Sequence, residues 1–252
     1  MADETLTPSP RGGFSFLKAG MPYSSGAVAL RGFEIVRARL AKPVSVADGF
    51  KAIDAHFRSV SRPSQALCAI ELRSPKPFTF DGFREFNVGY VEHLKARDIH
   101  VNGINPVART NVAPEIGPPA VPSLYGFSYT VPSTDAPVTF VVAGGGEWPE
   151  GSSDPATVIR KGETSPQAIR EKARFVAGLM ESRLLRMGVK WSDATATHVY
   201  TVYDIGPLLT SEILPKMGAS ANHGVIWHYT RPPIVTIEFE MDVRHWRREV
   251  VI

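Results

Sequence analysis

Between Glu115 and Ser123 the chain reads Glu-Ile-Gly-Pro-Pro-Ala-Val-Pro-Ser, three prolines and a glycine within nine residues. Proline removes a backbone donor and fixes φ, so neither a helix nor a central strand can run through this segment. It divides the 252 residues into two stretches, each long enough to hold a core of its own. The expected organisation is a disordered tail over 1–19, polar and proline-bearing at its start, then one unit over 20–118 and a second over 119–252.

Both stretches show the same alternation. In the first, strand-like runs at Ala27–Leu30 and Phe33–Leu40 precede a helix over 45–61, a strand at Gln65–Arg73, a helix over 80–97 and a strand at Ala108–Ala113. Ser45 and Asp48 form a Ser-x-x-Asp capping box, and Phe50, Ile53, Phe57 and Val60 recur at helical spacing. In the second, runs at Tyr125–Val131 and Thr139–Ala143 precede a long helix from Ser165-Pro166 to Gly188, with N-cap, Pro at the first helical position and glycine stop in order. Strands follow at His198–Tyr203, Gly224–Tyr229 and Val235–Val243. The strand pairs ahead of each helix lie too close for βαβ crossovers, which predicts α+β architecture: two tandem mixed or antiparallel sheets, each with helices on one face. Glu147–Glu163 reads as a long polar loop, a lid or rim.

Composition narrows the function classes. Lys+Arg 28 against Asp+Glu 25 leaves a net charge of +3, too even for a nucleic-acid footprint. The Arg244, Arg247 and Arg248 cluster reads as a solvated edge. Cys68 is the only cysteine, so no intrachain disulfide or cysteine-based metal site can form, and a reducing, cytoplasmic setting is expected. No apolar run is long enough to cross a bilayer. Gly144-Gly145-Gly146 lacks a Lys-Ser/Thr and a G-x-G-x-x-G spacing, which argues for close approach to a ligand or backbone rather than a nucleotide site. His223 and His228, five apart on or near a strand, face opposite ways, so no metal site is expected.

Three motifs carry a resemblance: Pro22-Tyr23-Ser24, Phe83-x-x-x-Asn87-x-x-Tyr90 and Ala108-Arg109-Thr110-x-Val112. In this order they resemble the Rid (YjgF-type) imine deaminase family. The second half resembles the same fold through Phe140–Gly145, the helix at 166–187 and Thr236-Ile237-Glu238-Phe239-Glu240. The resemblance implies two tandem Rid-like, chorismate-mutase-like domains and a homotrimer or dimer of trimers with clefts between subunits. It implies Arg109 as the anchor of a substrate carboxylate, Tyr23 as a cleft wall, and Glu238 as the group that places or activates water. Two departures stand out: the second half has no arginine where the motif requires one, only the neighbouring His223, and the first lacks a last strand with its glutamate.

The implied activity is hydrolytic deamination, without metal or other cofactor, of an imine or enamine carrying a carboxylate, with 2-aminomuconate or a related product of aromatic-ring degradation favoured. Arg109, Glu238 and Glu147 are the candidate catalytic residues. Arg109, Tyr23, Ser24, Phe127 and His223 are the candidate binding residues. Glu238 and Glu240 share one face of a strand, so either can serve the site. Two alternatives remain open: a hydrolase or lyase on another small carboxylate, as in chorismatases, and a non-catalytic metabolite-binding trimer. The expected partner is a small carboxylate, with neither nucleic acid nor membrane.

Overall fold

The helices form where the periodicity and caps place them. In the computed structural model, which describes residues 6–252, α1 spans Val46–Ser59, α2 spans Phe80–Lys95 and α3 spans Pro166–Arg186. The Oγ of Ser45 accepts the Asp48 N–H at 3.2 Å, that of Thr79 the Gly82 N–H at 3.1 Å, and that of Ser165 the Ala168 N–H at 3.2 Å. Each satisfies an amide that the first helical turn leaves unpaired. Gly188 ends α3 at φ +73°, a conformation only glycine adopts without strain.

Twelve strands accompany them among the described residues: β1 (Thr7–Ser9), β2 (Phe14–Leu17), β3 (Gly26–Ala29), β4 (Phe33–Ser45), β5 (Leu67–Arg73), β6 (Ala108–Pro114), β7 (Ser123–Pro132), β8 (Phe140–Gly146), β9 (Ala196–Thr201), β10 (Ile226–Arg231), β11 (Glu240–His245) and β12 (Glu249–Val251). They do not form two tandem Rid-like sheets. They form one mixed sheet in the order β1-β2-β3-β8-β11-β9-β10-β6-β5-β7-β4-β12. The expectation failed because local spacing fixes which residues become strands but not which strands pair. The proline-rich segment is a loop between β6 and β7, yet β7 inserts between β4 and β5, antiparallel to both. In the other direction β3 pairs antiparallel with β8. The ladders are joined where β10 meets β6 through Thr230↔Pro114 and Arg231↔Ala113.

The stretch expected as a tail also needs correction. Residues 1–5 lie outside the described residues, but β1 and β2 pair, and Phe14, Phe16 and Leu17 are fully buried. Their alternation is short, so the polar residues around them masked it.

Three apolar clusters hold the fold. α3 lays Ile169, Ala173, Val176, Met180 and Leu184 against Phe140, Val142, Phe239 and Met241. α1 and α2 bury Phe50, Ile53, Phe57, Tyr90 and Leu94 against Ile70, Leu72, Leu124 and Phe127. Between these layers the sheet curls so that β8 approaches β6, with Phe14, Phe16, Ala27, Cys68, Ala69, Ala108, Val141 and Ala143 filling the gap. A buried ion network spans the same gap. Arg244 donates to Glu71 at 2.6 Å and to both oxygens of Asp242, while Arg37 holds Glu71 through Nε and Nη2, both at 2.7 Å. The Thr110 hydroxyl donates to Asp242 at 2.7 Å and accepts the Gly144 N–H at 3.1 Å, tying β6, β8 and β11 together.

Candidate active site

Strand alternation on β6 separates two tasks. Thr110 faces the ion network, whereas Arg109 and Asn111 line a cavity of about 580 Å³. Arg109 is only 3% exposed, and neither Nη1 nor Nη2 has a hydrogen-bond partner. Its guanidinium carbon lies 4.8 Å from the ring centroid of Tyr23, 5.3 Å from Phe83, 5.8 Å from Phe86 and 4.7 Å from Tyr90. The three sequence motifs thus converge on one guanidinium. Aromatic faces hold the cation in place but satisfy none of its N–H groups, and a buried charge without a partner costs several kcal/mol. Asn111 repeats the pattern. Its Oδ1 accepts the Ser74 hydroxyl at 2.9 Å, while Nδ2 is buried without a partner. Both residues line one cavity, and unpaired N–H donors of this kind are what a carboxylate accepts from.

Glu240, at the start of β11, lines the same cavity and is 4% exposed. Burial is the main force raising its pKa well above the carboxylate range; the nearby Asp242 adds to the rise, and Arg183 and Arg109 oppose it. The neutral form of Glu240 is therefore favoured, in the same cavity as the Arg109 guanidinium. The triple glycine makes the room. A Cβ on Gly144 would lie 2.2 Å from Glu240 Oε1 and 3.1 Å from the Thr110 Cα; one on Gly145 would lie 2.9 Å from Arg183 Nη1; one on Gly146 would lie 2.6 Å from Ile237. These glycines end β8 rather than forming a loop, and each admits a side chain to the cavity wall. Gly144→Ala must displace the Glu240 carboxyl. A misplacement of about 1 Å costs on the order of 10²-fold in rate, so steady-state kinetics should show that loss while circular dichroism stays unchanged.

The far wall comes from α3 and the segment after β8. Arg183 is anchored by Nη1 donating to the Ala143 carbonyl at 2.8 Å. Its Nε and Nη2 both reach Glu150 Oε1 at 2.8 Å. Ser25 Oγ donates to the same oxygen at 2.9 Å, and Arg186 Nη1 donates to Glu150 Oε2 at 3.0 Å. Burial would raise the Glu150 pKa, but Arg183, Ser25 and Arg186 together hold it low. Ile234, Ile237, Trp148 and Phe83 complete an apolar side.

The other sequence candidates fall elsewhere. Glu238 precedes β11 and turns away from the cavity; its carboxylate accepts the Tyr203 hydroxyl at 3.2 Å and lies 3.7 Å from Arg231. The strand begins later than the pattern suggests because Thr236 adopts φ +78°, so the two glutamates do not share a strand face. Glu147 is fully buried, paired with Lys172 at 3.0 Å and accepting the N–H groups of Glu238 and Phe239 at 2.6 and 3.0 Å. It braces the approach to β11 and does not line the cavity. Ser24 is buried with its hydroxyl on the Pro106 carbonyl at 2.9 Å, and it is Ser25 that reaches the site. Phe127 belongs to the core under α1, and His223 is exposed beyond the cavity lining. Among the described residues no group of three or more His, Cys, Asp or Glu is arranged to hold a metal ion, and no helix is long and apolar enough to cross a membrane.

Asn111 was within reach of the sequence, since it stands two residues from Arg109 on a strand. Arg183 and Glu150 were not, because only folding brings α3 and the segment after β8 together.

Known proteins resemble this chain in sequence more than in solved structure. A chorismatase crystal structure superposes with a TM-score of 0.50 at 14% identity, covering 96% of this chain and 85% of that one, a likeness of fold. A cyanuric acid hydrolase superposes with a TM-score of 0.41 at 10% identity over 85% of this chain and 67% of that one. In sequence, the 2-amino-5-chloromuconate deaminase of Comamonas testosteroni is 45% identical over 244 residues, 96% of each chain. Residues 6–250 match the family described as 2-aminomuconate deaminase CnbZ, a span that includes every residue of the cavity, and the chain belongs to that family.

Proposed function

We propose that this protein is a hydrolytic deaminase that releases ammonia from 2-aminomuconate or a ring-substituted 2-aminomuconate. The observation that carries the reading is the juxtaposition, in one cavity, of a buried guanidinium with two unpartnered nitrogens and a carboxyl biased toward its neutral form. Membership of the deaminase family supports it. The apolar side formed by Ile234, Ile237 and Trp148 gives room for a substituent such as the chlorine in the relative's substrate.

In this mechanism Arg109 and Asn111 hold the carboxylate next to the amino-bearing carbon. The Glu240 carboxylic acid protonates the enamine at carbon, and the electron pair of the C=C bond forms the new C–H bond while nitrogen becomes an iminium. The resulting Glu240 carboxylate takes a proton from water as its oxygen adds to the C=N carbon, giving a neutral carbinolamine. Glu240 then protonates the nitrogen. The C–N bond breaks, ammonia leaves, and the hydroxyl proton returns to Glu240 as the carbonyl forms. A group that donates and accepts in turn works best when its pKa is raised from the carboxylate range toward the working pH, and burial moves Glu240 in that direction.

The test is ammonia release from 2-aminomuconate, run beside several 2-iminoacids and after exhaustive chelation. One ammonia per 2-aminomuconate consumed, with the rate unchanged by EDTA, is the expected result. Turnover of the iminoacids alone would remove the substrate assignment, and loss of rate with EDTA restored by zinc would overturn the metal-free mechanism.

A further inference from the structure

The cavity carries a second arginine fork, and it is already filled. Glu150 Oε1 sits between Nε and Nη2 of Arg183, with Ser25 as a third donor, and Oε2 takes Arg186. Two guanidinium nitrogens meeting one carboxylate oxygen make charge-assisted contacts of the kind a carboxylate ligand receives. Arg183 does not depend on Glu150 for its position, because Nη1 is fixed on the Ala143 carbonyl of β8. Glu150, by contrast, stands on an irregular stretch between Pro149 and Gly151, the latter at φ +77°, and its side chain is 32% exposed. Arg183 and Arg186 thus stand on a regular helix, and the acceptor stands on an irregular, partly exposed segment.

Charge around the cavity points the same way. Its lining carries Lys18, Arg109, Arg183 and Arg186 against Glu150 and Glu240, and Glu240 is biased toward its neutral form. Lys18, Arg109 and Arg183 alone outnumber the one ionised carboxylate by two, which suits a dianion. Arg109 and Arg183 lie on different elements, β6 and α3, and both line the same space.

We infer that Ser25, Arg183 and Arg186 form a subsite for the second carboxylate of a dicarboxylate substrate, and that Glu150 occupies this subsite as an internal stand-in which the substrate displaces. The inference deepens the reading above and rests on it. It gives the segment after β8 a selective role: a monocarboxylate fills the Arg109 seat and leaves Glu150 in place, whereas a dicarboxylate of matching length expels it. A ligand that must displace an internal competitor binds more weakly by the fraction of time the subsite is open.

The experiment uses two unreactive probes of equal chain length, the dicarboxylate trans,trans-muconate and the monocarboxylate sorbate, titrated calorimetrically into the full chain. Glu150→Ala should bind muconate about tenfold or more tightly than wild type, with sorbate changed by less than about threefold. Arg183→Met should weaken muconate by about tenfold or more and leave sorbate alone. Melting temperatures identify any variant that folds poorly, and Glu150→Gln, which keeps the shape and loses the charge, replaces Glu150→Ala in that event. Muconate affinity unchanged or reduced on removing the Glu150 charge, or equal gains for both probes, would overturn the subsite. Ammonia release by wild type is measured on the same preparations. Its absence would remove the deaminase reading while leaving the difference between the two probes intact.

Discussion

Arg109→Met should abolish most turnover while leaving the fold as stable as before, or more so. Removing one partner of a buried charge-assisted pair costs on the order of 2–5 kcal/mol, tens- to thousands-fold in kcat/KM. Nη1 and Nη2 have no hydrogen-bond partner in the protein, and aromatic rings pack against the guanidinium. A methionine among Tyr23, Phe83, Phe86 and Tyr90 removes a desolvated charge at the expense of cation–π contacts, so the melting temperature should hold or rise. Arg109→Lys keeps the charge and loses the planar fork, and it should already impair turnover. Steady-state kinetics and thermal melts on the same preparations decide the matter. Early unfolding with normal kcat/KM in the folded fraction would make Arg109 a structural residue.

Glu240→Gln should lower kcat by about 10²–10⁴, the span that positioned acid–base groups supply. Two pH signatures separate this role from simple packing. Activity begins from the protonated acid, so wild-type kcat/KM should fall by roughly tenfold per pH unit once the pH passes the Glu240 pKa, and that limb should vanish in Glu240→Gln. Stability carries the second. The folded protein holds this proton to a higher pH than the unfolded chain, whose carboxyl titrates near 4.5. The contribution of Glu240 to stability is therefore complete below about pH 4.5 and is lost as the pH climbs through the raised folded pKa. The melting temperature of Glu240→Gln should rise relative to wild type across that window. Parallel melting curves from pH 4 to 9 would show that Glu240 titrates in the fold as it does in the unfolded chain, is ionised at neutral pH and cannot be the initial acid.

The elements were more legible in the sequence than their arrangement. Caps and apolar stripes are local, which is why Ser45, Thr79 and Ser165 start their helices and Gly188 ends α3. Pairing is not local. Nothing near Ser123 states that β7 will enter between β4 and β5, and the tandem reading failed on that point. The site divides along the same line. Arg109, Tyr23 and Phe83 stood out in short motifs, and folding brings both rings to the Arg109 guanidinium, at 4.8 and 5.3 Å. Glu240, the proton carrier we propose, stands two residues beyond the candidate Glu238. Period-two reasoning treated Glu238 and Glu240 as equivalent, and the left-handed Thr236, invisible in composition, broke the equivalence.

The interleaved order of the strands has a consequence for how the polypeptide emerges from the ribosome. β3, complete by residue 29, pairs with β8 at residues 140–146, and β4 receives β12 only at residues 249–251. A nascent chain that has passed β7 still has β3 and the outer edge of β4 bare, and both present unpaired amides to any other extended segment. Such distant closures are slow, because the chain entropy of a long loop is lost before the contact forms. The β3 edge therefore stays open until β8 has been made, and the β4 edge stays open until β12 has followed. β12, which lines no part of the cavity, thus governs how long the β4 edge of the growing chain remains exposed to aggregation.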